Sequence, residues 1–227
     1  LSAHNGAFAR LGGVPATVRV DNEKTAVARG AGVWGVINPV YARYAQTLRF
    51  HIDPCPPRSP QHKGKVERRI RDQRLRDDPA RRHWRDLAEL QRWTDERLAA
   101  SWQRRICPAT GRSVRESWRT ERRWLGPLPP VLPEPFDVLV TRRVRTDCTV
   151  PFEGRQYSVP FTHVGRTVEI RGCAGRVQIF AEAELVAVHP RRTERRLVLD
   201  PAHYDGEASA AVRAPTPLGR LGERLQQ

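Results

Sequence analysis

The chain has 227 residues, of which 39% are hydrophobic, and carries 40 Lys and Arg against 25 Asp and Glu for a formal net charge of +15. Such a composition fills one large or two small cores, excludes a wholly disordered chain, and calls for a polyanionic partner. Cys55, Cys107, Cys148 and Cys173 form no C-x-x-C pair, which argues against a zinc ribbon, and the absence of a long apolar run or a signal-peptide layout predicts a cytoplasmic protein with reduced thiols and no membrane association.

Phe8 and Leu11 lie three apart on a short predicted helix, which Gly12-Gly13 ends and Pro15 keeps from resuming. Ala16 to Val20 is β-branched enough for a strand, and Asp21 then stands at its C-terminal end, where α/β sheets place their sites. Residues 28 to 36 are glycine-rich and read as a loop or hairpin-like excursion. Asn38-Pro39 is a cap followed by proline at the first helical position, opening a helix through Tyr41, Tyr44, Ala45 and Leu48. Phe50 to Asp53 is a short strand, stopped by Pro54, Pro56 and Pro57 before a turn at Ser59-Pro60-Gln61.

The next helix carries Lys65 to Ile70, with Val66 and Ile70 expected to face the core and Glu67 to project beside that stripe. The charged stretch from Arg68 to Arg85, interrupted by Pro79, reads as a helix end and an exposed connection. A second amphipathic helix follows through Leu87, Leu90, Leu98 and Trp102. The proline-rich segment from Gly126 to Pro135 is a stiff linker and a boundary. Beyond it the apolar period becomes two, through Val138, Val140, Val150, Phe152, Tyr157, Val168, Ile170, Val177 and Ile179, with turns at Glu153-Gly154 and around Gly172 to Gly175. These strands predict a small closed barrel. The domains expected are residues 1–78, 79–130 for a helical extension and linker, 131–192 for the barrel, and 193–227 for a disordered tail.

Asp21 and Glu67 are the candidate chemical groups. Carboxylates on a strand end and on a packed helix supply hard oxygen ligands for Mg²⁺ or Mn²⁺, and a two-metal arrangement cleaves phosphodiesters by in-line attack. Asn22 is placed to orient Asp21, while Lys24, Lys63 and Lys65, with Arg58, Arg68 and Arg69, offer cations to DNA phosphates. Each acid has a plainer alternative: an Asx turn for Asp21, and an ion pair with Arg71 one turn on for Glu67. His4, His51 and His62 are scattered and receive no metal role. Trp84, Trp93, Trp102, Trp118 and Trp124 are able to stack on bases but are assigned to helix packing.

Gly12-Gly13-Val14-Pro15 before a strand ending in Asp21-Asn22, then Lys24-Thr25-Ala26-Val27, and later Lys63-Gly64-Lys65-Val66-Glu67-Arg68, resembles the integrase core of bacterial insertion-sequence transposases of the IstA type. The likeness continues through Thr110-Gly111-Arg112 and Leu128-Pro129 into Gly154-Arg155-Gln156-Tyr157-Ser158-Val159-Pro160 and Ala187-Val188-His189-Pro190-Arg191. It implies an α/β fold made of a partial ribonuclease H-like integrase core, helices and a small all-β barrel. It also implies that Asp21 is the second catalytic and metal-binding Asp of an Asp-Asp-Glu set and Glu67 the Glu. The first Asp and the helix-turn-helix region would precede Leu1, so the chain is expected to be a fragment inactive by itself. The implied function is DNA transposition, with transposon-end and target DNA, self-association and an ATPase helper protein as partners. The alternative is a DNA-binding or transposase-assembly module without chemistry.

Overall fold

The computed structural model describes residues 1–30, 34–56, 64–76 and 78–206, with the backbone alone at 64–66 and 69. Helices and small sheets are mixed, and the chain divides into two compact units, Ala3–Leu132 and a second beginning at Pro133.

In the first unit, α1 (Ser2–Leu11) ends where Gly12 adopts φ 70°. The amides of Gly12 and Gly13 close on the Phe8 carbonyl at 2.9 and 3.2 Å, a left-handed cap that costs a glycine nothing. Val14 then pairs with Gly126 in an antiparallel bridge, so the stretch predicted as a linker returns to the start of the chain. A Cβ on Gly13 would stand 2.7 Å from Leu125 Cβ and 2.9 Å from the Gly126 carbonyl oxygen. Gly13→Ala is therefore expected to cost about 1–3 kcal/mol, the range of overpacking, read as a lower urea midpoint by tryptophan fluorescence.

β1 (Thr17–Val20) leads through an antiparallel hairpin, β2 (Val27–Arg29) and β3 (Val36–Ile37), and through α2 (Pro39–Leu48) to β4 (His51–Pro54), which returns parallel to β1. The Asn38 side chain caps α2 by accepting from the Val40 amide at 2.9 Å. Tyr41, Tyr44, Ala45 and Leu48 are buried on one face of α2 and meet Phe8 and Phe50. His4 lies among these rings with Nε2 3.1 Å from the Tyr41 hydroxyl, and burial holds its imidazole below the usual range. It is a packed aromatic-cluster residue.

α3 (Gly64–Arg76) follows, then a 3-10 turn at Pro79–Arg81, α4 (Leu87–Arg104) and α5 (Val114–Glu121). Ile70 is 47% exposed, which corrects the expectation that it faces a core, and Leu87 on the amphipathic α4 is 81% exposed. Periodicity identifies residues that share a face but does not supply what covers it. Trp84 packs on Trp93 at 5.1 Å and Trp102 and Trp118 are half-buried, as helix packing requires, whereas Trp124 is 74% exposed and does not pack. No helix of the described residues is long and apolar enough to cross a membrane.

The second unit contains β5 (Phe136–Arg143), β6 (Thr149–Phe152), β7 (Arg155–Ser158), β8 (Thr167–Cys173), β9 (Arg176–Ala181), β10 (Glu184–Pro190) and β11 (Leu197–Val198). They form a four-stranded sheet in the order β10-β9-β8-β5 and a three-stranded sheet in the order β11-β7-β6. Val150, Phe152 and Tyr157 from the smaller sheet share a core with Val168, Ile170, Val177 and Ile179 from the larger. Among the described residues no strand pairing joins the two sheets, so the expected closed barrel is corrected to two sheets over one core. The expected tail is corrected as far as residue 206. β11 pairs in parallel with β7 and His203 is buried, while residues 207–227 lie outside the described residues.

That segment closes a buried polar cluster. The Ser158 hydroxyl accepts from the Asp200 amide at 2.8 Å and lies 2.8 Å from His203 Nδ1, and the Ser158 carbonyl accepts from His189 Nε2 at 2.7 Å. The two imidazoles meet edge to face at 5.5 Å. Burial lowers the pKa of both from 6.5, opposed by the Asp200 carboxylate. The unfolded chain consequently takes up protons first as the pH falls, so the stability of this unit is complete above about pH 6.5 and declines from there towards the lower folded-state values. A falling melting temperature between about pH 7 and 5, with a shallower fall in His203→Gln, is the expected result.

Candidate functional site

Asp21 follows directly on Val20, at the C-terminal end of β1. The backbone pairing extends one step beyond the strands, with the Cys55 amide on the Val20 carbonyl at 2.9 Å. Asn22 Nδ2 then donates to the Cys55 carbonyl at 3.1 Å, so a side chain takes over where the ladder stops and fixes the turn that presents Asp21. Asp21 Oδ1 accepts from the Glu23 amide at 3.3 Å, so the Asx turn foreseen as an alternative does form. An Asx turn occupies one oxygen of the carboxylate and orients it, which is compatible with a ligand role.

The next turn is tightly closed. The amides of Ala26 and Val27 both bond the Glu23 carbonyl at 2.9 and 2.8 Å, and Asn38 Nδ2 donates to the Lys24 carbonyl at 3.2 Å. The Lys24 side chain is exposed. Asp53, opposite Arg19 in the parallel register, is engaged by that guanidinium at 2.6 Å and is thereby compensated.

Glu67 stands in the first turn of α3 and is exposed, as is Arg68 beside it. It makes no ion pair with Arg71 among the described residues, so the plainer reading of Glu67 is not what forms. An acid in the first turn also sits favourably against the positive end of the helix dipole. Arg58 and Lys63 lie outside the described residues, and Lys65 and Arg69 are placed on α3 by backbone alone.

Asp21 and Glu67 thus occupy a strand end and a helix start, and their oxygens suit Mg²⁺. In number they do not suffice: among the described residues no group of three or more His, Cys, Asp or Glu is arranged to hold a metal ion.

A surface that received no role in the sequence lies between α4 and α5. Arg115 and Arg119 lie one turn apart on α5, Arg122 opens the 3-10 turn that follows it, and all three line a groove of 490 Å³ with Trp102, Gln103 and Trp118. The spacing is legible in the sequence, but the groove needs two helices to exist.

Residues 128–199 match the family model described as the Mu transposase C-terminal domain. The chain is similar to the transposase for insertion sequences IS1326/IS1353 of Pseudomonas aeruginosa, 33% identical over 192 residues that cover 83% of this chain and 37% of that protein. It is also similar to a transposase of Aminobacter aminovorans, 30% identical over 213 residues covering 89% of this chain and 41% of that one. A third relative is the transposase for insertion sequence element IS21 of Pseudomonas aeruginosa, 28% identical over 186 residues, 81% of this chain and 47% of that one. The chain spans less than half the length of these relatives.

Proposed function

Because the chain is an IstA-type insertion-sequence transposase region, we propose that it takes part in DNA transposition, contributing two carboxylates, Asp21 and Glu67, to metal-dependent strand cleavage and strand transfer. The observation that carries this reading is the placement of Asp21. It closes the first strand of a parallel β1–α2–β4 unit, at the carboxyl end where such sheets build sites, and is held there by the Asn22 bond to Cys55. On this reading Ala3–Leu132 contains part of a ribonuclease H-like integrase core. Glu67 enters from α3, and the remaining metal ligands come from outside the described residues.

A divalent ion held by these acids would supply charge stabilisation to the oxygens of the scissile phosphodiester. The residues of this chain bind and orient. Asn22 fixes the Asp21 turn, and Lys24, Arg58, Lys63, Lys65, Arg68 and Arg69 neutralise DNA phosphates. The transposase relationship brings with it self-association and an ATPase helper as further proposed partners.

The net charge of +15 supports DNA contact by either this catalytic reading or a non-catalytic assembly role, and both are tested first by binding. Fluorescence anisotropy with a labelled duplex is expected to show affinity falling linearly on a log–log plot of salt, with a slope of about −0.9 per phosphate neutralised. Six neutralised phosphates would give about a thousandfold loss between roughly 50 and 200 mM salt. A correctly folded chain that fails to retain DNA at low salt would remove both readings.

A further inference from the structure

The groove between α4 and α5 combines exposed guanidinium groups with half-buried indoles. Its wall is a row of guanidinium groups, Arg115, Arg119 and Arg122, all exposed, with no carboxylate of the described residues within ion-pair distance of any of them. Of the two acids on the same helix, Glu121 precedes Arg122, and Glu116, which also attracts Arg119 electrostatically, is committed to the helix start. It accepts from the Ser113 amide at 3.0 Å and the Ser113 hydroxyl at 2.8 Å, completing a capping box. The arginine row is therefore left facing solvent. The lining of the groove includes Trp102 and Trp118, both half-buried, with the amide of Gln103 beside them.

The two indoles are half-buried and line the same groove as the three arginines. A folded duplex presents phosphates but keeps its bases stacked inside. An acidic peptide presents charge but no planar faces. A DNA strand with unstacked bases presents both at once, and stacking on tryptophan tolerates any sequence. The groove volume of 490 Å³ falls in the range of small-ligand pockets, room for a nucleotide rather than for a double helix. We propose, on the basis of the DNA-processing role above, that the α4–α5 groove is a binding site for a single DNA strand. Arg115, Arg119 and Arg122 hold successive phosphates, and an unpaired base or sugar lies against Trp102 and Trp118. Strand ends and frayed junctions, which a strand-transfer reaction must expose, are the substrates it suits.

The test uses the whole chain, a fluorescein-labelled oligothymidylate, and a duplex of the same length. The triple variant Arg115→Gln, Arg119→Gln, Arg122→Gln is expected to bind the single strand at least about tenfold more weakly and to lower the salt slope by about 2, at roughly 0.7 for each phosphate left without its arginine. Trp118→Leu is expected to weaken single-strand binding about tenfold, while Trp118→Phe, which keeps a stacking face, recovers most of it. Circular dichroism and melting temperatures equal to those of the unaltered chain establish folding, and if Trp118→Leu fails that check the arginine variant decides alone. The assignment is overturned if the folded triple variant keeps the original affinity and slope, if it loses only duplex binding, or if polyglutamate displaces the oligothymidylate as effectively as unlabelled oligothymidylate does. If the unaltered chain binds neither DNA, the DNA-processing role fails as well. If it binds both and the variants make no difference, only the groove is wrong.

Discussion

Arg191→Ala is expected to destabilise the second unit by about 3 kcal/mol, the lower end of what removing one partner from a buried ion pair costs. The Arg191 side chain is 9% exposed and is bonded in several directions: Nη1 to Asp137 Oδ1 at 2.6 Å and to the Cys173 carbonyl at 2.8 Å, Nη2 to Glu153 Oε1 at 2.6 Å, and Nε to Glu153 Oε2 at 3.0 Å. Glu153 belongs to the β6–β7 turn, and Asp137 and Cys173 to β5 and β8, so one guanidinium ties the smaller sheet to the larger. Its neighbours are fitted to it. A Cβ on Gly172 would come within 2.9 Å of the Arg191 guanidinium carbon, and the cation lies 5.9 Å from the Phe152 ring centre. The figure stays at the lower end because the Asp137 and Glu153 side chains are 69% and 37% exposed and regain water when the arginine is removed. Arg191→Lys should recover only part of the loss, since an ammonium cannot bond three ways in a plane. All six tryptophans precede Pro133, so their fluorescence does not register this unit. Hydrogen exchange of the β8 and β9 amides is the measurement that does, and protection unchanged in a folded Arg191→Ala chain would contradict the assignment.

The longer strands of the second unit were legible where their apolar residues alternate. Val168 and Ile170, then Val177 and Ile179, occupy the inward positions of β8 and β9 as the period of two requires. The Glu153-Gly154 turn was legible too, since both residues adopt positive φ, 48° and 74°, the geometry that glycine signals. The turn between β9 and β10 was not, because Glu182 and Ala183 take φ 49° and 75° with no glycine to mark them. Sheet closure depends on partners distant in sequence. β11 has only two residues, too few for any period, and its pairing with β7 decides where the smaller sheet ends. In the first unit the strand-end position of Asp21 and the helical position of Glu67 followed from local pattern alone. The bond from Asn22 to Cys55 did not, because it crosses from one strand end to the other and leaves no periodic trace. The exposure of Ile70 was hidden for a related reason: a helix declares which face is apolar, and only its neighbours decide whether that face is covered.

Asp21→Asn and Glu67→Gln, each made in a longer polypeptide that joins this region to the preceding sequence of a relative, are expected to lower Mg²⁺-dependent DNA nicking by about a hundredfold or more, several kcal/mol of lost transition-state stabilisation. Binding of the same DNA should change by less than about threefold, and in the direction of tighter binding, because each change removes a negative charge from a surface that attracts phosphate. Asp21→Asn is the informative substitution. An asparagine Oδ1 accepts from the Glu23 amide as an aspartate oxygen does, so the Asx turn and its presentation survive while the charge is removed. An Asp21 whose role is limited to this turn would leave nicking intact. Glu67→Gln likewise retains a good helix former in the first turn of α3, and a Gln variant that nicks at the original rate would exclude a metal role for that residue. The double variant separates the two cases more sharply. If both carboxylates serve one site, the first substitution already removes its function and the second adds little, whereas two independent contributions would multiply. A double variant no slower than either single one is the expected result. That non-additivity would tie a strand end and a helix start to one centre without requiring either to be seen holding the ion.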